Sequence, residues 1–378
     1  MYGPTKYDCN HESSLKILLV GDFTWPWYEE ACAKALEVRG CEVERFGWVN
    51  KFKRWLPGKT EPVYRSILHR IEFRLFFGPT VWEVERELHA LASKFKPDVI
   101  WFYNVQLISA RTVGKMRRSL PTTVFCQYSN DNPFSNEAKP LLWRNYLASI
   151  KLFHIHFAYR KSNITDYKNF GAVNVKLLRS YFIPESDKPI SKEEIPERFI
   201  CDVVFAGHYE DDGRVHILEE ICRAGFKLNL FGGGWEKAFS KLSIDSPLRK
   251  YYPISPVVGQ DYQFAICGAK VALCFLSSLN KDTYTRRNFQ IPAMKVPMLS
   301  QYTRDLTELF VPDKEAMFFR DSQELIDKLG LLIRDPKIRK SIAVAGYNRV
   351  NVDGHDVYSR MNAWLKQVME FKKYKYVE

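Results

Sequence analysis

The sequence predicts an α/β protein of two consecutive domains, each an open and mostly parallel sheet with helices on its faces. A chain of 378 residues is long for one hydrophobic core, so two domains of roughly 150 to 200 residues are expected. Strand-length apolar runs alternate with helical patterns along the chain. A charged stretch with three prolines, residues 182–199, interrupts this alternation and predicts a linker between the domains.

The first domain opens on a strand, residues 15–20 (LKILLV), which ends in Gly21-Asp22. Residues 28–39 form a helical pattern closed by Gly40, and residues 41–46 predict a second strand. Strand, helix and strand within about 30 residues make a βαβ unit, which requires a parallel sheet. The alternation continues with predicted strands at 99–104, 122–127, 152–159 and 173–178, and predicted helices at 82–94 and 112–118.

The second domain repeats the pattern and adds a terminal helix. Strands are predicted at 202–206, 227–231, 270–276, 296–300 and 316–319, and helices at 214–224, 289–294, 303–309, 322–333 and 336–348. The last helix, 358–372, is expected to cross back to the first domain. We therefore expect Rossmann-like domains at 1–182 and 200–350, a linker at 183–199, and residues 351–378 packing on the N-terminal domain. The two sheets are expected to face each other across a cleft.

The net charge of +12 is concentrated in the first half of the chain. Residues 1–190 carry 28 Lys and Arg against 19 Asp and Glu, whereas residues 191–378 carry 28 against 25. A basic half indicates an anionic partner, such as a phosphate-bearing acceptor, an anionic membrane surface or a nucleic acid. Nucleic acid is the least favoured of these, because no recognised reading module is present.

A basic, aromatic stretch spans residues 45–77. Its residues 45–74 carry eight Lys and Arg against two Glu. Basic side chains interleaved with Trp, Phe and Leu are typical of an interfacial helix or a surface for an anionic acceptor. An ordinary amphipathic helix with a solvated basic face is the alternative.

The eight cysteines form no CxxC pair, and most lie in apolar segments. This distribution predicts buried free thiols and a reducing compartment. Residues 1–14 lack the apolar core of a signal peptide, and no apolar run approaches the roughly 18 residues that span a bilayer. We expect a cytoplasmic protein, and peripheral association with the inner face of the membrane is an open alternative.

Chemically reactive or binding residues follow several strands of the predicted second sheet, at whose carboxyl ends such folds bind ligands. Gly207-His208 precedes Arg214 at a helix start, and glycine, a helix N-terminus and a guanidinium together suit a diphosphate. A glycine turn with a surface arginine is the alternative. The loop around Gly233 (FGGGW) leaves room for a flat ring.

The segment 277–293 (SSLNKDTYTRRNFQIPA) holds two Arg, a Lys, an Asp and several amides and hydroxyls between a buried strand and a helix. Such polar density requires internal partners or a ligand, and the pattern favours a ligand.

In the first domain, Asp131 and Asn132 follow a predicted strand, where Asp131 would bind acceptor hydroxyls or act as a general base. An Asx-type turn before proline is the alternative. Asp22 has the same two interpretations. His154 and His156 alternate on a strand and are interpreted as core or cleft-edge residues, since no third ligand lies at metal-binding spacing.

Over residues 203–361 the sequence resembles the CgeB-type, spore-maturation-protein-like family of glycosyltransferases, related to the large retaining group with the GT-B fold. The most specific match is residues 273–310, including Asp282 and the Gln-Ile-Pro-Ala run that starts at Gln290. The family typically has Glu at the position of Gln290, and Met294-Lys295 replaces its Cys-Gly pair. The GT-B fold, with two Rossmann-like domains and a returning terminal helix, agrees with the predicted layout.

The resemblance implies that Arg214 and Arg287 hold a donor diphosphate, Asp282 faces the donor sugar and Gln290 bonds the ribose. Replacing Gln290 with Glu is then expected to leave nucleotide binding intact. The predicted site comprises three groups: catalytic Asp282, Asp131 and Arg287; donor-binding Gly207, His208, Arg214, Gly233, Asn280, Thr285, Arg286 and Gln290; and acceptor-side Asp22, Asn132 and Arg160.

We therefore expect a glycosyltransferase, metal-independent and retaining, that moves a sugar from a UDP- or GDP-sugar to a glycan, lipid-linked or other phosphate-bearing acceptor, with no cofactor. Surface polysaccharide or glycoconjugate synthesis is the expected setting. Two alternatives are open: an inactive module that binds nucleotide or glycan as a scaffold, and a sugar-nucleotide epimerase.

Overall fold

The computed structural model describes residues 14–59, 61–137 and 139–375. Cys9 and most of the N-terminal stretch that lacks a signal-peptide core lie outside this part of the chain. The chain divides into two compact units. Unit one comprises Met1–Arg179 and Val357–Glu378, and unit two comprises Ser180–Asp356.

Unit one is built on a six-stranded sheet in which every neighbouring pair is parallel. Its central strands are buried on both faces, which explains why they read as continuous apolar runs instead of alternating ones. In chain order the strands and helices are β1 (Lys16–Gly21), α1 (Glu29–Val38), β2 (Glu42–Gly47), β3 (Lys53–Arg54), β4 (Val63–Tyr64), α2 (Ile67–Leu75), α3 (Pro79–Phe95), β5 (Val99–Tyr103), α4 (Ala110–Ser119), β6 (Val124–Ser129), α5 (Pro140–Ser149), β7 (Ile155–Ala158), α6 (Lys161–Asn169) and β8 (Val175–Leu177). The sheet order is β2-β1-β5-β6-β7-β8, and β3 and β4 form a separate antiparallel pair.

Unit two is a five-stranded parallel sheet in the order β10-β9-β11-β12-β13. Its strands and helices are β9 (Cys201–Ala206), α7 (Arg214–Arg223), β10 (Leu228–Phe231), α8 (Glu236–Phe239), α9 (Gly259–Cys267), β11 (Ala269–Cys274), α10 (Arg287–Ala293), β12 (Met298–Gln301), α11 (Arg304–Leu309), β13 (Met317–Phe319), α12 (Ser322–Arg334) and α13 (Pro336–Val352). The predicted class of two Rossmann-like domains with parallel sheets is therefore confirmed.

The terminal helix α14 (Val357–Lys375) packs within unit one, against α1. Its buried Trp364 stacks on Trp101 of β5 with ring centroids 4.6 Å apart. Lys372 pairs with Asp98, whose other carboxylate oxygen accepts from the backbone N–H of Lys16 at 2.9 Å. The helix thus continues the core of the first sheet.

The stretch predicted as a linker belongs to unit two. It forms only short 3₁₀ turns, as its prolines indicate, but it is anchored by buried Asp187, Ile195 and Phe199. The difference arises because single buried side chains separated by irregular backbone leave no periodic pattern.

The seven described cysteines are free thiols, and five of them are buried. Within the described ranges, no helix combines the length and the apolar character needed to span a bilayer.

Candidate functional site

Two glycine turns meet where the neighbouring strands β9 and β10 end. Gly207 donates its N–H to the carbonyl of Phe231 at 2.9 Å, and its own carbonyl accepts from the Trp235 indole N–H at 3.0 Å. A Cβ on Gly232, whose φ is +151°, would lie 1.8 Å from the carbonyl oxygen of Gly207. Only glycine permits this backbone approach, so the two turns form one closely packed edge of the sheet.

The exposed imidazole of His208 lies over the second turn. A Cβ on Gly233 would stand 3.2 Å from its Nε2, and the N–H of Tyr209 donates to the Gly233 carbonyl at 3.0 Å. His208 and Gly233, both predicted as donor-binding residues, are therefore neighbours at the carboxyl end of the sheet.

Arg214 is 2% exposed and its guanidinium is engaged by the protein. Its Nε and Nη2 donate to the two carboxylate oxygens of Asp212 at 2.7 and 2.6 Å, and Nη2 also reaches the Leu276 carbonyl at 3.3 Å. Nη1 donates to the carbonyl of His208. The surface-arginine interpretation is thus wrong, and a direct diphosphate contact would have to break a bidentate pair. These contacts tie Arg214 to the loops after β9 and β11, and its predicted role in donor binding stays a prediction.

Arg287 is the first residue of α10 and lies beside the first glycine turn. Its Nη2 donates to the Phe275 carbonyl at 3.2 Å, and its Nη1 lies 3.2 Å from the point that a Cβ on Gly207 would occupy. Its Nε is buried and has no hydrogen-bond partner among the described residues, although the guanidinium also interacts with the buried Cys274 thiol. An unpaired buried guanidinium donor is costly unless a ligand satisfies it, and an anion is the ligand that suits it.

Gln290 is buried and forms a hydrogen bond with the carboxylate of Asp187, a partner that the sequence did not indicate. Its Nε2 donates to Asp187 at 2.9 Å, and its Oε1 accepts from the Tyr262 hydroxyl at 3.4 Å. Asp187, 3% exposed, also accepts from Arg286 at 3.3 Å and from the N–H of Ile183 at 2.8 Å. Because Asp187 accepts only, the amide of Gln290 must turn its nitrogen towards it and its oxygen away.

Much of the polar segment 277–293 is satisfied by the protein itself. Buried Asn288 accepts from the N–H of Thr285 at 2.7 Å, and Thr283 donates to Asp305 at 2.8 Å. Glu210 accepts from the Ser277 hydroxyl at 3.1 Å and so ties the loop after β9 to the loop after β11. Internal partners, which the sequence left open as the alternative to a ligand, therefore account for a large share of this polarity.

The loop after β11 also carries Asn280 and Asp282, two further predicted site residues, which are partly exposed. The N–H of Asp282 donates to the Ser277 carbonyl at 2.9 Å, and the N–H of Asn280 donates to the Ser277 hydroxyl at 3.2 Å. These backbone bonds close the turn that sets the position of both side chains.

In unit one, polar residues collect where the adjacent strands β1, β5 and β6 end. Asp22 follows β1, and its carboxylate accepts from the N–H of Thr24 at 2.7 Å. Asp131 accepts from the Asn104 amide at 3.2 Å, and Asn104 in turn accepts from Ser129 at 2.8 Å. The carboxyl edge of this sheet therefore presents two partly exposed carboxylates, both predicted from sequence.

Asn132 and Arg160, predicted as acceptor-side residues, are buried in unit one. The Asn132 side chain accepts from Phe134 N–H at 3.1 Å and from the Asn163 amide at 3.0 Å. Arg160 donates to the Asn130 carbonyl at 2.9 Å and covers the Tyr159 ring. These contacts show that both side chains help to hold the loop after β6, and their acceptor-side role stays a prediction.

The sequence interpretation missed Glu29, the first residue of α1. Its buried carboxyl accepts from the N–H of Asp22 at 3.3 Å, and its Oε2 has no partner in the described chain. Burial, reinforced by the negative charge of Asp22, raises the pKa of Glu29 to about 8. A buried acid beside the Gly21-Asp22 turn carries no local sequence signal, because a first-turn glutamate is ordinarily an exposed one.

An aromatic group next to this turn was also missed. Trp25 stacks on Trp27 at 4.8 Å, and Trp55, about half exposed, meets Trp25 edge-on at 6.1 Å. Trp25 and Trp27 follow Asp22 within five residues, so ring surfaces and a carboxylate lie in the loop after β1. A cluster of tryptophans in a predicted ligand loop is the signal that could have identified it.

The two histidines of β7 and its N-terminal flank have structural partners. His156 is buried against the Tyr167 ring, its Nε2 lies 2.9 Å from the Ile150 carbonyl, and burial lowers its pKa to about 4. His154 accepts from the N–H of Phe125 at 2.9 Å. Among the described residues, no three His, Cys, Asp or Glu side chains are grouped as a metal site would need.

Comparison with known proteins adds a family and a fold. Residues 214–366 match the family model described as glycosyl transferase-like. None of the curated proteins compared matches the sequence.

Three solved structures are similar over nearly the whole chain. Sucrose-phosphate synthase from Thermosynechococcus elongatus has a TM-score of 0.67 at 11% identity and covers 94% of this chain and 99% of its own. Anabaena HepE in complex with UDP and glucose has a TM-score of 0.63 at 12% identity and covers 94% and 100%. Trehalose 6-phosphate synthase from Burkholderia multivorans has a TM-score of 0.64 at 10% identity and covers 95% and 99%.

At such low identity these likenesses establish the fold, and the family match lies mostly in the unit that carries the glycine turns and Arg287. The chain therefore has the GT-B fold of glycosyltransferases, and its residues 214–366 match the glycosyl transferase-like family.

Proposed function

We propose that this chain is a glycosyltransferase that uses a nucleotide-sugar donor. The observation that carries the proposal is the carboxyl edge of unit two, where Arg287 keeps a buried Nε without a partner next to the glycine turns. A diphosphate would accept from the partly exposed guanidinium of Arg287, beside the first glycine turn and the exposed imidazole of His208. The family match over residues 214–366 supports the same chemistry.

In the reaction, the bond between the anomeric carbon and the diphosphate oxygen breaks, and a bond to the acceptor oxygen forms. Arg287 would stabilise the charge that develops on the departing diphosphate, and His208 would add a donor beside it. The acceptor hydroxyl must lose a proton, and Asp131 remains our candidate for the group that takes it. Asp282 is proposed to contact the donor sugar, with Asn280 and Thr285 on the same loop.

For the nucleoside, we propose that Oε1 of Gln290, which accepts from the Tyr262 hydroxyl, uses its second lone pair to accept a ribose hydroxyl. Its amide orientation is held by Asp187, which Arg286 keeps in place. A UDP-sugar is the first donor to test, because the similar HepE structure contains UDP and glucose, and a GDP-sugar is the second. CgeB-type membership, a retaining outcome and metal independence remain proposals that rest on the sequence resemblance.

For the acceptor, we propose a glycan that stacks on the tryptophan rings beside Asp22. Aromatic faces with adjacent carboxylates suit sugar rings, which present C–H faces and hydroxyl edges. A lipid-linked or other phosphate-bearing glycan is favoured by the basic surplus of the first half. The free thiols support a reducing compartment, so we propose the cytoplasm as the place of action.

The test is binding and transfer with a panel of UDP-, GDP-, TDP- and CMP-sugars. Arg287→Lys keeps the charge but loses the planar fork, and should weaken nucleotide binding by roughly tenfold or more. Arg304→Ala removes an arginine from the same unit whose side chain is 92% exposed and should change nothing. The proposal fails if no nucleotide sugar binds, or if both variants behave alike.

Two other outcomes identify the alternatives. Nucleotide binding without transfer to any acceptor would indicate a scaffold that retains the GT-B site. Conversion of the donor sugar in the absence of an acceptor would indicate an epimerase.

A further inference from the structure

Helix α2 presents an apolar face to solvent. It packs on unit one through Glu72, whose carboxylate accepts from the N–H of Thr80 at 3.2 Å, and through Phe73, whose ring meets those of Phe52 and Tyr64 at 5.7 and 5.4 Å. The opposite side carries the aliphatic residues. Their side chains are Ile67 (80% exposed), Leu68 (61%), Ile71 (50%) and Leu75 (39%).

The four exposed aliphatic side chains form one stripe. At 3.6 residues per turn they fall within an arc of roughly 100°, so they are neighbours on the helix surface. Beyond the helix, Phe77 and Trp82 are also exposed, and their ring centroids lie 5.4 Å apart. Single exposed hydrophobic residues are ordinary, but a contiguous apolar stripe indicates an interaction surface.

Arginines border this stripe. Arg70 and Arg74 lie on the exposed half of α2 next to Ile67 and Ile71, and Arg65 precedes the helix. All three are exposed, and none forms an ion pair with a described carboxylate. The surface is therefore apolar along its centre and cationic along one border.

We propose that α2 docks this protein on an anionic membrane surface, with its aliphatic stripe at the acyl boundary and Arg65, Arg70 and Arg74 among lipid headgroups. A helix lying in the interface needs an apolar face, basic residues at its border and aromatic rings at headgroup depth, and this segment supplies all three. A second copy of the chain is a poorer occupant, because a symmetric contact through α2 would bring the unpaired arginines of both copies together. The proposal is independent of the transfer chemistry.

The experiment is co-sedimentation of the full chain with phosphatidylcholine vesicles, with and without phosphatidylglycerol. Wild type should bind the anionic vesicles and release them at high salt. The double variant Ile67→Ser/Ile71→Ser should weaken binding by roughly tenfold or more, because two large apolar side chains no longer enter the interface. Arg70→Gln/Arg74→Gln should weaken it by roughly fivefold for each arginine and leave any binding to neutral vesicles unchanged.

Ile244→Ser is the matched control, since Ile244 is 84% exposed on unit two and should have no effect on vesicle binding. All variants should retain the wild-type melting temperature, because every substituted side chain is solvent-exposed. Absence of vesicle binding, or equal binding by wild type and Ile67→Ser/Ile71→Ser, overturns the proposal. A dimer in light scattering that this double variant abolishes also overturns it, and would assign the stripe to a second copy.

Discussion

At the scale of single residues, the hydrogen bond from Gln290 to Asp187 accounts for the glutamine at a position where the resembled family typically has Glu. A glutamate at position 290 would stand against a buried carboxylate, so the negative charge is supplied by Asp187 and Gln290 serves as its donor. The sequence led to the expectation that Gln290→Glu leaves nucleotide binding intact, and this geometry adds a prediction about stability.

We predict that Gln290→Glu destabilises unit two by roughly 1–3 kcal/mol, because two buried carboxylates would then share one contact. The double variant Asp187→Asn/Gln290→Glu should recover most of the loss, since the asparagine amide then donates to the new carboxylate. Urea unfolding of the wild type, both single variants and the double variant measures the coupling. Additive effects of the two substitutions would refute the pairing.

Glu29 gives a second prediction at this scale, which concerns pH. The folded chain holds the proton up to a pKa of about 8, whereas the unfolded chain releases it near 4.5. The folded state therefore binds more protons between these values, and stability should fall as pH rises through that window.

Glu29→Gln should remove this dependence, so its gain over wild type at pH 9 should be on the order of a few kcal/mol and should shrink towards pH 5. Urea unfolding at several pH values measures it. The control is Glu236→Gln, which alters an exposed glutamate that also begins a helix, α8. Parallel pH profiles for wild type and Glu29→Gln would contradict the assignment.

At the scale of elements, the turns after β9 and β10 act as one structure, because Gly232 lets its backbone contact the carbonyl of Gly207. This contact sets the edge on which Arg287 and His208 lie. The helix α10 then fixes Arg287 from the other side, through its position as first helical residue.

We predict that Gly232→Ala destabilises unit two by roughly 3 kcal/mol or more and abolishes nucleotide binding, because the added methyl would overlap the Gly207 carbonyl. The matched control is Gly330→Ala inside α12, where a Cβ meets the flexible end of Arg334 at 3.7 Å and the Phe226 ring at 3.9 Å, both ordinary contact distances. That change should stabilise the helix by roughly 0.5–1 kcal/mol. Melting temperatures and nucleotide titration distinguish the two, and similar values for both variants would contradict this account.

At the scale of the whole molecule, the last helix completes the core of the unit that begins the chain. Trp364, Met361 and Val368 are fully buried in unit one although they are separated from its other residues by all of unit two.

We predict that Trp364→Ala destabilises unit one by roughly 3–5 kcal/mol, through the cavity left beside Trp101. Trp82→Ala, which truncates a half-exposed tryptophan of the same unit, should cost under about 1 kcal/mol. Denaturant unfolding of both variants provides the comparison. A small effect of Trp364→Ala would mean that α14 is dispensable for this core.

Local patterns were sufficient for most strands, because a strand buried on both faces must be apolar throughout, as Val99–Tyr103 illustrates. Helices without a strong pattern were missed, among them α5 and α6, and α9, which begins at Gly259. For the site, the sequence located the glycines after two predicted strands, and the parallel sheet brings the carboxyl ends of those strands to one edge.

The sequence by itself determined the two parallel sheets, the glycine turns and the cluster around Arg287, because each depends on residues close together in the chain. Only the tertiary structure decided that the Arg214 guanidinium pairs with Asp212, whereas the Nε of Arg287 has no hydrogen-bond partner among the described residues. It also decided that Gln290 meets Asp187, 103 residues away, and that the apolar side of α2 faces solvent. The physical reason is that burial and hydrogen-bond pairing depend on which distant segments pack together, and residue spacing does not encode that choice.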